Sequence, residues 1–219
     1  SDHHGYINRM KAAIQALGYA RDSFQVLLVQ FVTLLRAGKT VGMSTRGGQF
    51  ITLRDLIKEV GKDVARYFFL MYSYDSHTEF DLDIAKSQSL ENPVYYIQYA
   101  YARICSIIKK GEIKNITLDG INKEQIDLKL LDKREELEII KKLISFKKVV
   151  ERSAIKRKPY FVTGYLHELA SLFHKYYTEH KVISRERKLS EARLYLVYSV
   201  KIVLENALFL LGIEAPQEM

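Results

Sequence analysis

The sequence predicts a mainly α-helical protein that opens on a short helix–strand piece of an α/β sheet. Three observations carry this. Only three prolines occur in 219 residues, which leaves room for long uninterrupted helices. Beyond Glu91 the apolar residues recur at helical spacing throughout. Before that, a helical stretch feeds a run of branched apolar residues, Val26 to Leu35, which has the density of a buried strand.

Taken in order, Ile7, Met10, Ala13, Ile14 and Leu17 mark a first helix that Gly18 ends. The apolar strand follows, and one helix with one strand is too little sheet to stand alone. This predicts that part of the same domain precedes Ser1. Residues 36–50 form a loop, because Gly38, Gly42, Gly47 and Gly48 surround Met43-Ser44-Thr45-Arg46. Thr52 and Asp55 have the spacing of a capping box for a helix through Leu56, Ile57 and Val60. Asp63 is the expected cap of the next helix, through Phe68 and Met71, and residues 78–83 are expected to be an extended linker. Further helices are predicted at 93–110, 123–132, 134–153, 159–181 and 189–211. The last is apolar almost all round and is expected at the centre of the core, ended by Gly212 with Pro216 beyond it.

The composition, 47% apolar and 27% charged, is that of a folded soluble protein. A single cysteine, Cys105, excludes a disulfide scaffold and fits a reducing, cytoplasmic setting. No stretch is expected to cross a membrane. The net charge of +8 is uneven: residues 91–219 contribute +6 of it. Such an excess favours polyanionic partners, although solubility alone also accounts for lysine-rich helices.

No metal site is legible. Asp2-His3-His4 lacks a second acidic cluster, and His167 and His174 stand seven residues apart where zinc-binding histidines on a helix stand four apart. Both read as helix-surface or half-buried side chains, and Cys105 as core. The glycine-bounded Met43–Arg46 loop could approach phosphates, but alone it is as well explained as a surface turn.

The segment from Gly42 to Ile57 resembles the Lys-Met-Ser-Lys-Ser loop and following helix of class I aminoacyl-tRNA synthetases, above all of the arginyl-tRNA synthetase family. Ordered blocks agree across essentially the whole chain: Asp2-His3-His4-Gly5-Tyr6-Ile7, Asp63 to Phe68, Phe80-Asp81-Leu82-Asp83, Glu91 to Ala100, and Glu191 to Ile213. The resemblance implies that residues 1–90 end a class I nucleotide-binding domain and that residues 91–219 form a helical-bundle anticodon-binding domain. It implies catalytic-loop roles for Met43, Ser44 and Arg46, with both lysines of the pattern replaced, by Gly42 and Thr45. It places Asp2, His4 and Gly5 beside ATP, with magnesium as the counterion of the nucleotide. Tyr96, Tyr99 and Met219 are implied to lie at the anticodon, whereas Tyr95 and Tyr101 read as core. The partners implied are the tRNA for arginine, and ATP and arginine for the parent enzyme, an arginine–tRNA ligase.

The His-x-Gly-His motif of the family is absent, so the chain is expected to be a carboxy-terminal part, inactive by itself. A non-catalytic RNA-binding protein derived from the anticodon-binding domain is the alternative.

Overall fold

A computed structural model describes residues 3–42, 50–117 and 126–219. Helix α1 (Ile7–Ala16) ends at Gly18, whose φ of +87° is open to glycine without steric cost. None of its residues is buried. The apolar run that follows forms a strand only at its end, β1 (Val32–Arg36). Val29 and Phe31 are largely exposed, so the expected buried strand over 26–35 shrinks to the part that finds sheet partners.

Those partners are β2 (Lys39–Thr40), antiparallel to β1, and β3 (Thr78–Asp81), parallel to it with Val32 opposite Thr78 and Leu35 opposite Asp81. Residues 78–81 are thus a strand, which corrects the expected linker. Their alternation is the reason. Thr78 and Phe80 turn inward, and the Phe80 ring packs 4.9 Å from that of Phe68. Asp81 then caps α4 (Leu82–Lys86), accepting hydrogen bonds from the backbones of Asp83 and Ile84 at 2.9 and 3.1 Å.

Helix α2 (Leu53–Val60) begins with the predicted capping box: Thr52 Oγ1 accepts from the Asp55 N–H at 3.1 Å, and the Asp55 carboxylate accepts from the Thr52 N–H at 3.2 Å. Helix α3 (Lys62–Leu70) is capped by Gly61 and not by Asp63. The positive φ of Gly61 turns the chain within one residue, which leaves Asp63 inside the first turn of α3 and free to bond elsewhere.

Helix α5 (Pro93–Ile113) starts at Asn92, a buried cap whose Oδ1 accepts from the Val94 N–H. Its Nδ2 donates to the carbonyls of Ala85 and Ser87, which ties the start of α5 to α4. At the far end, a Cβ on Gly111 would come within 2.7 Å of the Ile116 carbonyl, so only glycine admits the turn that follows. The helix expected over 123–132 lies partly outside the described residues, and its described part holds one short 3-10 turn, Leu128–Leu130. Helices α6 (Arg134–Lys156), α7 (Tyr160–Glu179) and α8 (Arg187–Leu211) follow where the periodicity predicts them.

Helices α5 to α8 form a bundle. Contacts run Tyr96 to His174 and Arg103 to Tyr177, so α5 and α7 are parallel. Tyr165 and Tyr176 of α7 reach Lys142 and Glu136 of α6, and Gly111 lies beside Leu194, so α6 and α8 run the other way. Ile97, Ile104, Leu166, Phe173, Val197 and Leu204 fill the centre. By length and composition α8 could cross a membrane, contrary to the expectation above. Here Leu194, Leu196, Val197, Val200, Leu204, Ala207, Leu208 and Leu211 belong to the core of the bundle, whereas Ile202, Phe209 and Leu210 are exposed.

Candidate nucleic-acid interface

The groove between α5 and α7 is lined by rings. Along α5, Tyr96, Tyr99 and Arg103 fall at i, i+3 and i+7, which puts them on one face. On α7, His167, His174 and Tyr177 stand at the matching i, i+7 and i+10 positions. The Tyr96 ring lies 5.3 Å from His167 and 4.5 Å from His174. Tyr99 stacks on His174 at 5.8 Å and on Tyr95 at 6.2 Å, the latter within 6° of parallel. The Arg103 guanidinium sits between two rings, 5.0 Å from Tyr99 and 5.1 Å from Tyr177, and donates to both hydroxyls. Tyr96, Tyr99 and Tyr177 are half-buried, so part of each side chain is exposed to solvent.

Burial, more than any charge, pushes the His174 pKa below its usual value, and the neighbouring Arg103 adds to this against the raising effect of the Tyr96 carbonyl. The neutral ring donates its Nε2 proton to that carbonyl at 3.2 Å. A group whose folded pKa is depressed binds its proton first in the unfolded chain, so stability falls as pH drops below about 6.5. We predict that His174→Gln, followed by urea denaturation at pH 7 and pH 5, loses less stability across this interval than the unsubstituted chain. Equal losses would show that His174 contributes nothing to the pH response.

The carboxy-terminal tail is fixed along α5, on residues that face away from Tyr96 and Arg103. Gln98, on the same helix, donates to the Asp63 carboxylate at 3.3 Å and to the Glu214 carbonyl at 3.0 Å. The Glu214 N–H closes the triangle on Asp63 at 3.1 Å. Arg66 of α3 bonds the Leu211 carbonyl and lies against Gly212, whose φ of +67° ends α8. Lys109 holds Glu218 at 3.0 Å. Met219 therefore reaches a cavity of about 510 Å3 that it lines together with Tyr95, Gln98, Val60 and Lys86.

Of the residues singled out in the sequence, Tyr96 and Tyr99 come together in the groove, and Met219 lies beside Tyr95. Tyr101 is buried, as expected of a core residue, whereas Tyr95 is half-buried and lines the Met219 cavity. His4 and Gly5 lie in an exposed 3-10 turn, His4–Tyr6, and a Cβ on Gly5 would touch nothing within 4 Å. Met43, Ser44 and Arg46, and Asp2 with them, lie outside the described residues. The sequence reading did not reach Arg103, His167, His174 and Tyr177 as members of one groove. The signal that could have found them is the three- and seven-residue spacing that recurs on both helices.

Helices α5 to α8 thus form a four-helix bundle in which rings and one guanidinium pack between α5 and α7. Residues 97–219 match the model of the DALR anticodon binding domain, and the chain belongs to that family. Over all 219 residues it is 51% identical to the arginine–tRNA ligase of Desulforamulus reducens and 49% identical to that of Thioalkalivibrio sulfidiphilus. It spans 39% and 37% of their lengths, about two-fifths of the curated relatives it matches. A crystal structure from Campylobacter jejuni assigned as an arginyl-tRNA synthetase superposes on the whole chain, with a TM-score of 0.87 and 35% identity over 46% of its own length. Thermus thermophilus arginyl-tRNA synthetase, 23% identical with a TM-score of 0.71, shares the fold over 95% of this chain and 38% of its own.

Proposed function

We propose that the chain is the part of an arginine–tRNA ligase that carries the anticodon-binding bundle, residues 91–219, joined to the end of the catalytic domain, residues 1–90. The observation that carries this is the likeness to arginine–tRNA ligases over every residue of the chain, residues 1–90 and bundle together. A free-standing RNA-binding module would need no counterpart of residues 1–90.

In this reading Tyr96 and Tyr99 offer their exposed parts to unpaired bases of the anticodon loop, and Met219 closes over a base from the tail. Met43, Ser44 and Arg46 act on the ATP phosphates in the parent enzyme, in which arginine is activated before its transfer to tRNA. Asp2, His4 and Gly5 lie beside the nucleotide. Magnesium accompanies ATP as its counterion. Of this nucleotide-facing set only His4 and Gly5 are among the described residues, and they form no enclosed pocket there. The enzyme acts in the cytoplasm.

The test is binding of arginine tRNA against a tRNA with another anticodon, over a series of salt concentrations. We expect preference for the arginine tRNA, and loss of that preference when Met219 is removed. Equal binding of both tRNAs, unchanged without Met219, would leave only charge attraction and defeat the anticodon assignment.

A further inference from the structure

The rings are not the only feature between α5 and α7. Tyr177 also lines a cleft of about 650 Å3 between the carboxy-terminal ends of the two helices. Ile107, Val182 and Ile183 give it an apolar floor, and Tyr177 is shared with the ring-lined groove. Its rim carries Lys110, Lys114 and Lys181, all exposed, and none of them forms an ion pair among the described residues. Among the described residues no carboxylate lines it, although His180, one of its lining residues, is held by Glu135 at 3.1 Å.

The other end of the ring cluster has the opposite character. Past His167 lies a cavity of about 500 Å3 bounded by Glu79, Asp81, Glu91 and Glu168. Two separate cavities thus flank the ring cluster along α5 and α7, the one towards His167 bounded by carboxylates and the one beyond Tyr177 rimmed by lysines. A strand whose bases stack in the middle is repelled at the acidic end and drawn to the basic one.

We propose that the Lys110–Lys114–Lys181 cleft is a second RNA subsite, taking one nucleotide of the single strand that leaves the rings, with its phosphate among the three ammonium groups and its base on the apolar floor. This rests on the reading of Tyr96 and Tyr99 as an RNA surface. It adds a direction to that surface and a further contact for the backbone.

The test uses the 219-residue chain and the anticodon stem–loop of arginine tRNA. Lys110→Gln/Lys181→Gln removes two charges from the rim. Thr178→Trp narrows the cleft at its exposed wall without changing charge. Lys147→Gln/Lys148→Gln removes the same charge from the exposed face of α6, outside the groove. All four positions on the cleft and on α6 that lose charge are exposed, so melting temperatures should match that of the unsubstituted chain. We expect the cleft pair to weaken binding roughly tenfold and to lower the slope of log affinity against log salt by about 0.7, the value for one phosphate contact. Thr178→Trp should weaken binding with the slope unchanged, and the α6 pair should do neither to a comparable extent. Equal losses from the two charge pairs, or full affinity in Thr178→Trp, overturn the subsite. If Tyr99→Ala still weakens binding in that case, the ring surface stands and only the second subsite fails. If Tyr99→Ala is also without effect, both readings fall.

Discussion

Replacing Arg193 by leucine is expected to destabilise the bundle by about 3–5 kcal/mol, because it leaves a buried carboxylate without its counter-ion. The Glu136 side chain is fully buried, and Arg193 is only 7% exposed. The Arg193 Nε donates to Glu136 at 2.8 Å, and its Nη1 donates to the Lys181 carbonyl at 2.9 Å. Glu136 also accepts from the Lys133 N–H at 3.1 Å and from the Tyr176 hydroxyl at 3.4 Å. Burial raises the Tyr176 pKa, so that hydroxyl stays protonated and remains a donor. The pair thus joins the start of α6, the end of α7 and the first turns of α8. Replacing both partners, as in Glu136→Leu/Arg193→Leu, removes the charge along with its partner and should recover much of the loss. Urea denaturation of the two single variants and the double gives the coupling directly. A loss below about 1 kcal/mol in Arg193→Leu would mean that water or another cation reaches Glu136.

This pair also shows where the sequence stops being readable. Helices α5 to α8 could be placed from periodicity because each buries a broad apolar stripe, and Gly212 and the Thr52–Asp55 box are local signals that need no partner. Arg193 and Glu136 are 57 residues apart and each looks like an ordinary surface charge in its own helix. Asp63 has the position of a local cap, yet its carboxylate is engaged by Gln98 and Glu214, from distant parts of the chain. Strand β3 was missed for a similar reason: four residues of alternation become a strand only when β1 lies beside them. The candidate site divides in the same way. Tyr96 and Tyr99 were within reach because they share a helix and a family block. Their α7 partners were not, since nothing in the sequence says that α5 and α7 run parallel and adjacent.

The second large effect is expected in RNA binding. Stacking a base on an aromatic ring contributes about 1–3 kcal/mol, and Tyr96 and Tyr99 are half-buried, with part of each side chain exposed. Replacing both by leucine keeps much of the apolar bulk against His174 while removing the rings, so the bundle should remain folded and the affinity for arginine tRNA should fall at least tenfold. The salt slope should stay the same, because no phosphate contact is lost. That combination separates stacking from charge. A further comparison sharpens it. Arg103 is held between Tyr99 and Tyr177, so Tyr99→Leu alone also frees a guanidinium that the ring had oriented. If Arg103 works only through that position, Arg103→Gln should cost little more once Tyr99 is gone, and the two changes together should fall well short of the sum of their separate effects. Full additivity would mean that Arg103 meets RNA independently of the ring. An unchanged affinity in the double tyrosine variant, with its melting curve intact, would show that the α5–α7 rings pack the bundle and do not bind RNA.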